Sequence, residues 1–307
     1  MEQMDVRTDC NHTAIFSGAQ NALTVALVSL FRLGDRIAAD EFTYANFIEA
    51  AKLFHLQIIP IPGDAQGMDP EALDKQCSRE KISGIFLMPS CSNPTALSMS
   101  ENRKKALAQI IQKHRLILLE DDLMGTLGSG KGPVRSLFSM LPDQTFFICG
   151  STKNLCTGIR IAFAAFPEAF RKRILHGLYS MNIKSSSLDA EIITELILSG
   201  KASAILEKKK SLALKANQLF NQIFPEMNDS SAHPYAFFRS LPIASRESGA
   251  RIEQTLAEKG ILVQHSDHFA VRKNPRHPFL RVSLSSAGSF AKLREGLSIL
   301  ADCREIF

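Results

Sequence analysis

Through roughly its first 170 residues the chain alternates short, nearly continuous apolar runs with helical segments, and this alternation narrows the possible folds sharply. Asn21–Leu33 carries Ala22, Val25, Ala26 and Leu30 at helical spacing, and Asp35–Ala39 opens a strand. Tyr44–Phe54 reads as a helix, Leu56–Ile61 as a strand, Pro70–Cys77 as a short helix and Ile82–Met88 as a buried strand. Ser100–His114 is again helical. Arg115–Leu119 is an apolar strand closed by Glu120-Asp121-Asp122, and Phe146–Cys149 and Ile161–Phe166 are two more. Strands apolar on both faces and separated by helices form a mainly parallel sheet covered on both sides. The expected fold class is therefore α/β, a three-layer domain over residues 1–190.

A long helical pattern then runs from Ser187 towards Phe224, with Gly200 as a break. Beyond Pro225 the texture changes. Short strands (Tyr235–Phe238, Leu262–Val263, Phe279–Leu284) mix with helices at Arg246–Lys259 and Ser289–Cys303. Residues 191–307 are thus expected to form a connecting helix and a smaller C-terminal α+β domain. A length of 307 residues is ample for two cores.

The formal charge of +5 is scattered, and its tightest cluster, Lys208-Lys209-Lys210, lies in a helical pattern and reads as a solvated face. No basic and aromatic interleaving supports direct nucleic-acid binding. The six cysteines (Cys10, Cys77, Cys91, Cys149, Cys156, Cys303) show no CxxC and no Cys/His ligand spacing. That predicts reduced thiols in a cytoplasm and no metal site. No apolar run approaches the roughly 18 residues of a membrane span, and the polar start MEQMDVRTDCNH does not read as a signal peptide. Gly125–Lys131 (GTLGSGK) has P-loop spacing, but Gly132 stands where the metal-binding hydroxyl belongs and Pro133 interrupts the helix that would follow.

Ligands of parallel sheets sit beyond the carboxyl ends of the strands, where Asn93, Asp121 and Lys153 all fall. Gly150-Ser151-Thr152 forms a turn that presents Lys153, with Arg160 seven residues on. Burial at a strand end and a neighbouring guanidinium both disfavour the protonated amine, which suits Lys153 to form a Schiff base with an aldehyde. Ser17-Gly18-Ala19-Gln20-Asn21 places small residues at a helix start, where backbone N–H groups can approach an anion. Asn93 precedes Pro94, so it is held extended and its amide is fixed. Arg281 sits in an apolar strand, where a guanidinium needs a partner and its fork matches a carboxylate. Taken singly, each has a plainer reading: an N-cap, a turn-starting Asn-Pro, a loop lysine.

In this order and spacing, the segments SGAQN, EFTY (Glu41–Tyr44), SNPT (Ser92–Thr95), EDD, STK…R and HPFLRVS (His277–Ser283) resemble the fold-type I, pyridoxal-phosphate-dependent aminotransferases of class I/II. That group includes the effector domains of MocR-type regulators, and the likeness runs from Ser17 to about Ala301. It implies pyridoxal 5'-phosphate as cofactor, linked to Lys153. Ala19, Gln20, Ser151, Thr152 and Arg160 would hold the phosphate, Tyr44 would stack on the ring, Asn93 would bind its phenolic oxygen and Asp121 would pair with its nitrogen. Arg281 would bind the substrate α-carboxylate together with Asn93, and Lys153 and Asp121 would carry catalysis. The substrates implied are an amino acid and a 2-oxo acid, and the assembly implied is a homodimer.

There are departures from the pattern. Phe42 replaces a proline, Ala96 a glycine, Gly150 a hydroxyl residue and Thr157 a second proline, while Leu123 and Met124 occupy the slots of a ring-binding tyrosine. Only 16 residues precede the phosphate turn, where the family carries several tens, including an arm over the pocket. Three readings follow: a free-standing aminotransferase, an effector module of a MocR/GntR-type regulator that binds cofactor and an amino compound, or a degenerate non-catalytic relative.

Overall fold

Side-chain periodicity decides which face of each strand meets which helices, and the computed structural model shows it directly; it describes residues 1, 4–128, 135–228, 231–244, 248–272 and 277–303. Strand β1 (Thr13–Phe16) leads through Gly18 into α1 (Ala19–Leu30). Then come β2 (Arg36–Asp40), α2 (Ala45–Leu53), β3 (Gln57–Ile61), a small hairpin β4 (Gly63–Asp64) and β5 (Gly67–Met68), and α3 (Pro70–Arg79). The chain continues as β6 (Gly84–Leu87), α4 (Glu101–Lys113), β7 (Ile117–Asp121), β8 (Thr145–Gly150), the one-turn helix α5 (Ser151–Asn154), β9 (Ala162–Ala165) and α6 (Glu168–Asn182).

The main sheet has seven strands in the order β1-β9-β8-β7-β6-β2-β3. β3, β2, β6, β7 and β8 run parallel, and β9 is antiparallel to both β8 and β1. Neighbouring residues of one strand point to opposite layers. Ile37, Ala39, Phe86 and Leu119 pack with α1, α2 and α6, while Ala38, Ile85, Leu87 and Leu118 pack with α3 and α4. This is the three-layer, mostly parallel α/β arrangement that the alternation predicts. Helix starts follow local chemistry: the side chains of Asp69 and Ser100 accept N–H groups at the starts of α3 and α4.

After α6 the chain forms α7 (Ser187–Leu198) and α8 (Lys201–Ile223), separated by Gly200 at φ 74°, as expected of a helix break. A three-stranded antiparallel sheet follows, built from β10 (Phe238–Pro242), β11 (Gln264–His265) and β12 (Phe279–Ser283) in the order β10-β12-β11. α9 (Gly249–Glu258) and α10 (Phe290–Asp302) complete this unit. Its core joins Leu219, Phe220 and Phe224 of the α8 end to Leu241, Ile252, Leu280, Val282 and Leu297.

Several expectations shift. Arg115 lies at φ 52° in a turn, so the third central strand starts at Ile117 and ends on Asp121 rather than before it. The strand expected at Tyr235–Phe238 instead runs Phe238–Pro242, because Phe238 to Pro242 is the stretch in register with β12. β1 and α6 were not anticipated. α6 packs closely on α1 because Gly177 lacks a side chain: a Cβ there would lie 2.1 Å from Ser29 Oγ. Residue 246, where α9 was expected to start, and residues 129–131 of the P-loop-like stretch lie outside the described residues. Among the described residues no helix is long and apolar enough to cross a membrane.

Candidate active site

The carboxyl ends of β6, β7 and β8 and the face of β12 converge on one rim. Lys153 stands on α5, which leaves β8 directly. This stretch, expected as a turn that presents Lys153, is one helical turn tied at three points. The Ser151 hydroxyl donates to the Ile161 carbonyl at 2.8 Å, and Asn154 Nδ2 donates to the Gly150 carbonyl at 2.8 Å. From α8, Lys209 Nζ donates to the Lys153 carbonyl at 3.0 Å. Lys209 is thus half-buried against the site rather than on the solvated face expected of the lysine cluster, while Lys210 pairs with Glu207.

Lys153 is open to the cleft, yet surrounding protein pulls its pKa below the ordinary lysine value, with Arg281 and then Arg160 adding repulsion and Asp121 opposing it. Asp121 ends β7 and is buried. Desolvation first, and then the charge of Asp122, push its pKa up to about 7, with Lys153 opposing. Asp122 is itself buried, accepts from Ser90 Oγ at 2.7 Å and leaves its other oxygen without a partner. Glu120 points into the opposite layer, accepts the N–H groups of Leu137 and Phe138, and is pushed up to about 8 by burial. Tyr44, half-buried before α2, has its phenol pKa raised by burial and by Asp121.

Arg281 on β12 donates from Nε to Asn93 Oδ1 at 3.0 Å, joining the two sheets across the rim. Its guanidinium lies 4.1 Å from the Phe238 ring centroid and 5.9 Å from that of Phe269. These two aromatic supports had no local sequence signal, because they meet Arg281 only through the fold. Phe42 packs edge-on against Phe279 at 4.9 Å, so this departure from the family pattern joins Tyr44's turn to β12.

Arg160 reaches back to the start of α1. A Cβ at Gly18 would lie 2.7 Å from its Nη2, and Gly18 sits at φ 89°. No side chain caps α1, and Gln20 Oε1 is buried without a partner. Bare helix-start N–H groups beside a guanidinium are the donor set a phosphate requires. Together with the buried Asp121 for a ring nitrogen and the lowered Lys153 amine for an aldehyde, these residues fit pyridoxal phosphate. Two departures prove to be neighbours: a Cβ on Gly150 would meet Leu123 Cδ2 at 3.2 Å, so the lost hydroxyl and the lost tyrosine share one apolar contact. Beside Thr152 and Lys153 opens a cleft of about 530 Å³, walled by α8 and the start of α10.

Reactive groups gathered at strand ends around one amine place the protein among the α/β proteins that work at the carboxyl edge of a parallel sheet. The sequence matches the family of aminotransferase class I and II over residues 4–300, and the chain belongs to that family. It is 32% identical over 293 residues to the uncharacterized HTH-type transcriptional regulator YdeF of Bacillus subtilis, covering 95% of this chain and 63% of that protein. It is 25% identical over 218 residues to 2-aminoadipate transaminase of Thermus thermophilus, covering 69% of this chain and 55% of that one. The chain thus spans less than two thirds of the length of these relatives. In fold it resembles LysN, the alpha-aminoadipate aminotransferase of Thermus thermophilus complexed with N-(5'-phosphopyridoxyl)-L-leucine. The TM-score is 0.87 at 22% identity, over 96% of this chain and 77% of that one.

Proposed function

We propose that the chain is a pyridoxal-phosphate-dependent aminotransferase acting on an amino acid and a 2-oxo acid. The observation that carries this reading is the approach of Lys153, whose pKa is lowered, to Arg281, whose charge repels it and whose Nε is held by Asn93. Lys153 would hold the cofactor's aldehyde carbon. Ala19 and Gln20 N–H groups, Thr152 and Arg160 would hold its phosphate, and Ser151 would steady the turn through Ile161. Tyr44 would cover the ring, Asn93 would donate to its phenolic oxygen and Asp121 would face its nitrogen. When bound, pyridoxal phosphate supplies an electron sink for charge developing at the substrate Cα.

The chain's own residues do the rest. Arg281 turns from Asn93 to grip the α-carboxylate in a bidentate pair, which fixes the Cα hydrogen towards Lys153. The lowered pKa leaves a larger share of Lys153 neutral near pH 7, able to take that proton. Phe238 and Phe269 pack their rings against the Arg281 guanidinium and would hold it towards the carboxylate. Exposed apolar side chains on α6 and α7, among them Tyr179, Leu188 and Ile192, suit a homodimer. Six unpaired thiols suit a reducing cytoplasm.

A second reading is favoured by the likeness to YdeF, a transcriptional regulator: the chain would bind the same cofactor and an amino compound as the sensing module of a longer protein. The deciding experiment supplies the holo-protein with the common amino acids and a 2-oxo acid and follows formation of the new amino acid. Transfer that disappears in Lys153→Ala supports the enzyme. A cofactor-loaded chain that binds amino acids without transfer overturns that reading in favour of the sensor.

A further inference from the structure

The backbone carbonyl of Lys153 is held by a side chain of another helix, 56 residues on. α5 ends one residue after Lys153, so that carbonyl has no partner four residues ahead in a helix. It is met by the Lys209 ammonium of α8 at 3.0 Å. An ionised donor makes this bond stronger than an ordinary backbone contact. Lys209 also lines the cleft shared by Thr152, Lys153 and Thr157. Burial lowers its pKa, nearby Cys156 opposes and Lys153 adds to the lowering.

The helix that supplies this ammonium packs near Lys209 against Met124 and Leu127 through Leu206, and farther along joins the other unit. Seven residues on from Lys209, α8 enters the small-domain core at Ala216, Leu219 and Phe220. That core also contains Leu280 and Val282, which flank Arg281 on β12. One packed body therefore touches the candidate carboxylate site through Arg281 and the candidate reactive lysine through Lys209. Packed cores move as units rather than deform continuously.

We propose that Lys209 is a positioning residue: its ammonium fixes the turn bearing Lys153 and couples it to the small domain, so that carboxylate binding at Arg281 sets the place of the Lys153 amine. This rests on the aminotransferase reading for its catalytic consequence, but the tether itself does not. A substrate carboxylate on Arg281 pulls on β12, and β12 moves α8 through Leu280 and Val282. α8 in turn carries the Lys153 carbonyl through Lys209. Lys209 touches neither substrate nor cofactor in this scheme.

The test compares Lys209→Met, which keeps the stem and removes the cation, with Lys209→Arg, which restores a cationic donor. Hydrogen–deuterium exchange is measured on the cofactor-free chain over the peptide spanning residues 150–156. In Lys209→Met, exchange at the Leu155 amide, bonded to the Ser151 carbonyl at 2.7 Å, rises at least about fivefold. Lys209→Arg restores the protection. In the loaded protein Lys209→Met lowers kcat of the amino-acid half-reaction about 10- to 100-fold, because the amine is misplaced. KM changes little, since Arg281 is intact, and Lys209→Arg recovers most of the rate.

Unchanged exchange in Lys209→Met overturns the proposal, as does a rate loss that arginine does not rescue or one confined to KM. A wild-type chain that takes up no pyridoxal phosphate would refute the proposed function, while the exchange comparison would still decide the tether.

Discussion

Replacing Arg281 by methionine separates two consequences of one guanidinium. Methionine keeps an unbranched apolar stem of similar width but removes the guanidinium, and with it the charge, the hydrogen bonds and the cation–π contact with Phe238. A bidentate guanidinium–carboxylate pair in a half-buried cleft is worth about 2–4 kcal/mol to binding, towards the lower end for a rim position. At about 1.4 kcal/mol per tenfold, kcat/KM for an amino acid should fall roughly 30- to 1000-fold. An amine lacking the carboxylate never makes that pair, so its rate should fall only as far as the smaller neutral share of Lys153 dictates, and discrimination between acid and amine should collapse by the carboxylate factor. Arg281 is also the largest charge lowering the Lys153 pKa, so its removal should move that pKa upward, towards the ordinary lysine value. The assay is stopped-flow measurement of the half-reaction with matched amino acid and amine, plus trace acylation of Lys153 across pH in the cofactor-free chain. If Arg281→Met retains its preference for amino acids over the matched amine, or loses both substrates equally, the carboxylate role is wrong.

The cofactor-free chain should lose stability as pH rises from about 4 to 8. Asp40, Asp121 and Glu120 titrate near 7, 7 and 8 when folded, against lower unfolded values, so the folded state keeps protons the unfolded chain has released. Thermal melts should show it, and Asp40→Asn, which removes a carboxylate raised by burial alone, should raise Tm at pH 8 and leave it unchanged at pH 4. Gly18→Ala should weaken pyridoxal phosphate binding at least about tenfold in a spectral titration, since φ 89° strains any side chain there and a methyl group 2.7 Å from Arg160 Nη2 pushes the guanidinium aside. Wild-type affinity in that variant would remove Gly18 from the phosphate cradle.

What the chain discloses before folding depends on how local each signal is. Lys153, Asp121 and Arg281 are legible because each closes or occupies an apolar run, and Gly200 because a left-handed turn between two helices calls for glycine. α6 carries Phe170, Ile174 and Gly177 on its buried side, but the Arg171-Lys172-Arg173 cluster masks that short stripe. β1 has only four residues and earns its place by pairing with β9 at the sheet edge, a partner about 150 residues away. Separation along the chain also hides Lys209, 56 residues from Lys153, which reads as one solvated lysine of three until α8 lays it against α5. Phe238 and Phe269 escape notice for the same reason. The residues that converge on the rim carry local signals, and the residues packed against them do not.

Lys153 as the point of cofactor attachment is the claim on which everything above depends. The purified chain and Lys153→Ala are each mixed with pyridoxal phosphate, reduced with borohydride and mapped by peptide mass spectrometry. The account predicts a phosphopyridoxyl group on Lys153 in the wild type, a visible absorption band that Lys153→Ala lacks, and loss of that band when amino acid is added before reduction. Label spread over other lysines, or an equal band in Lys153→Ala, would contradict it.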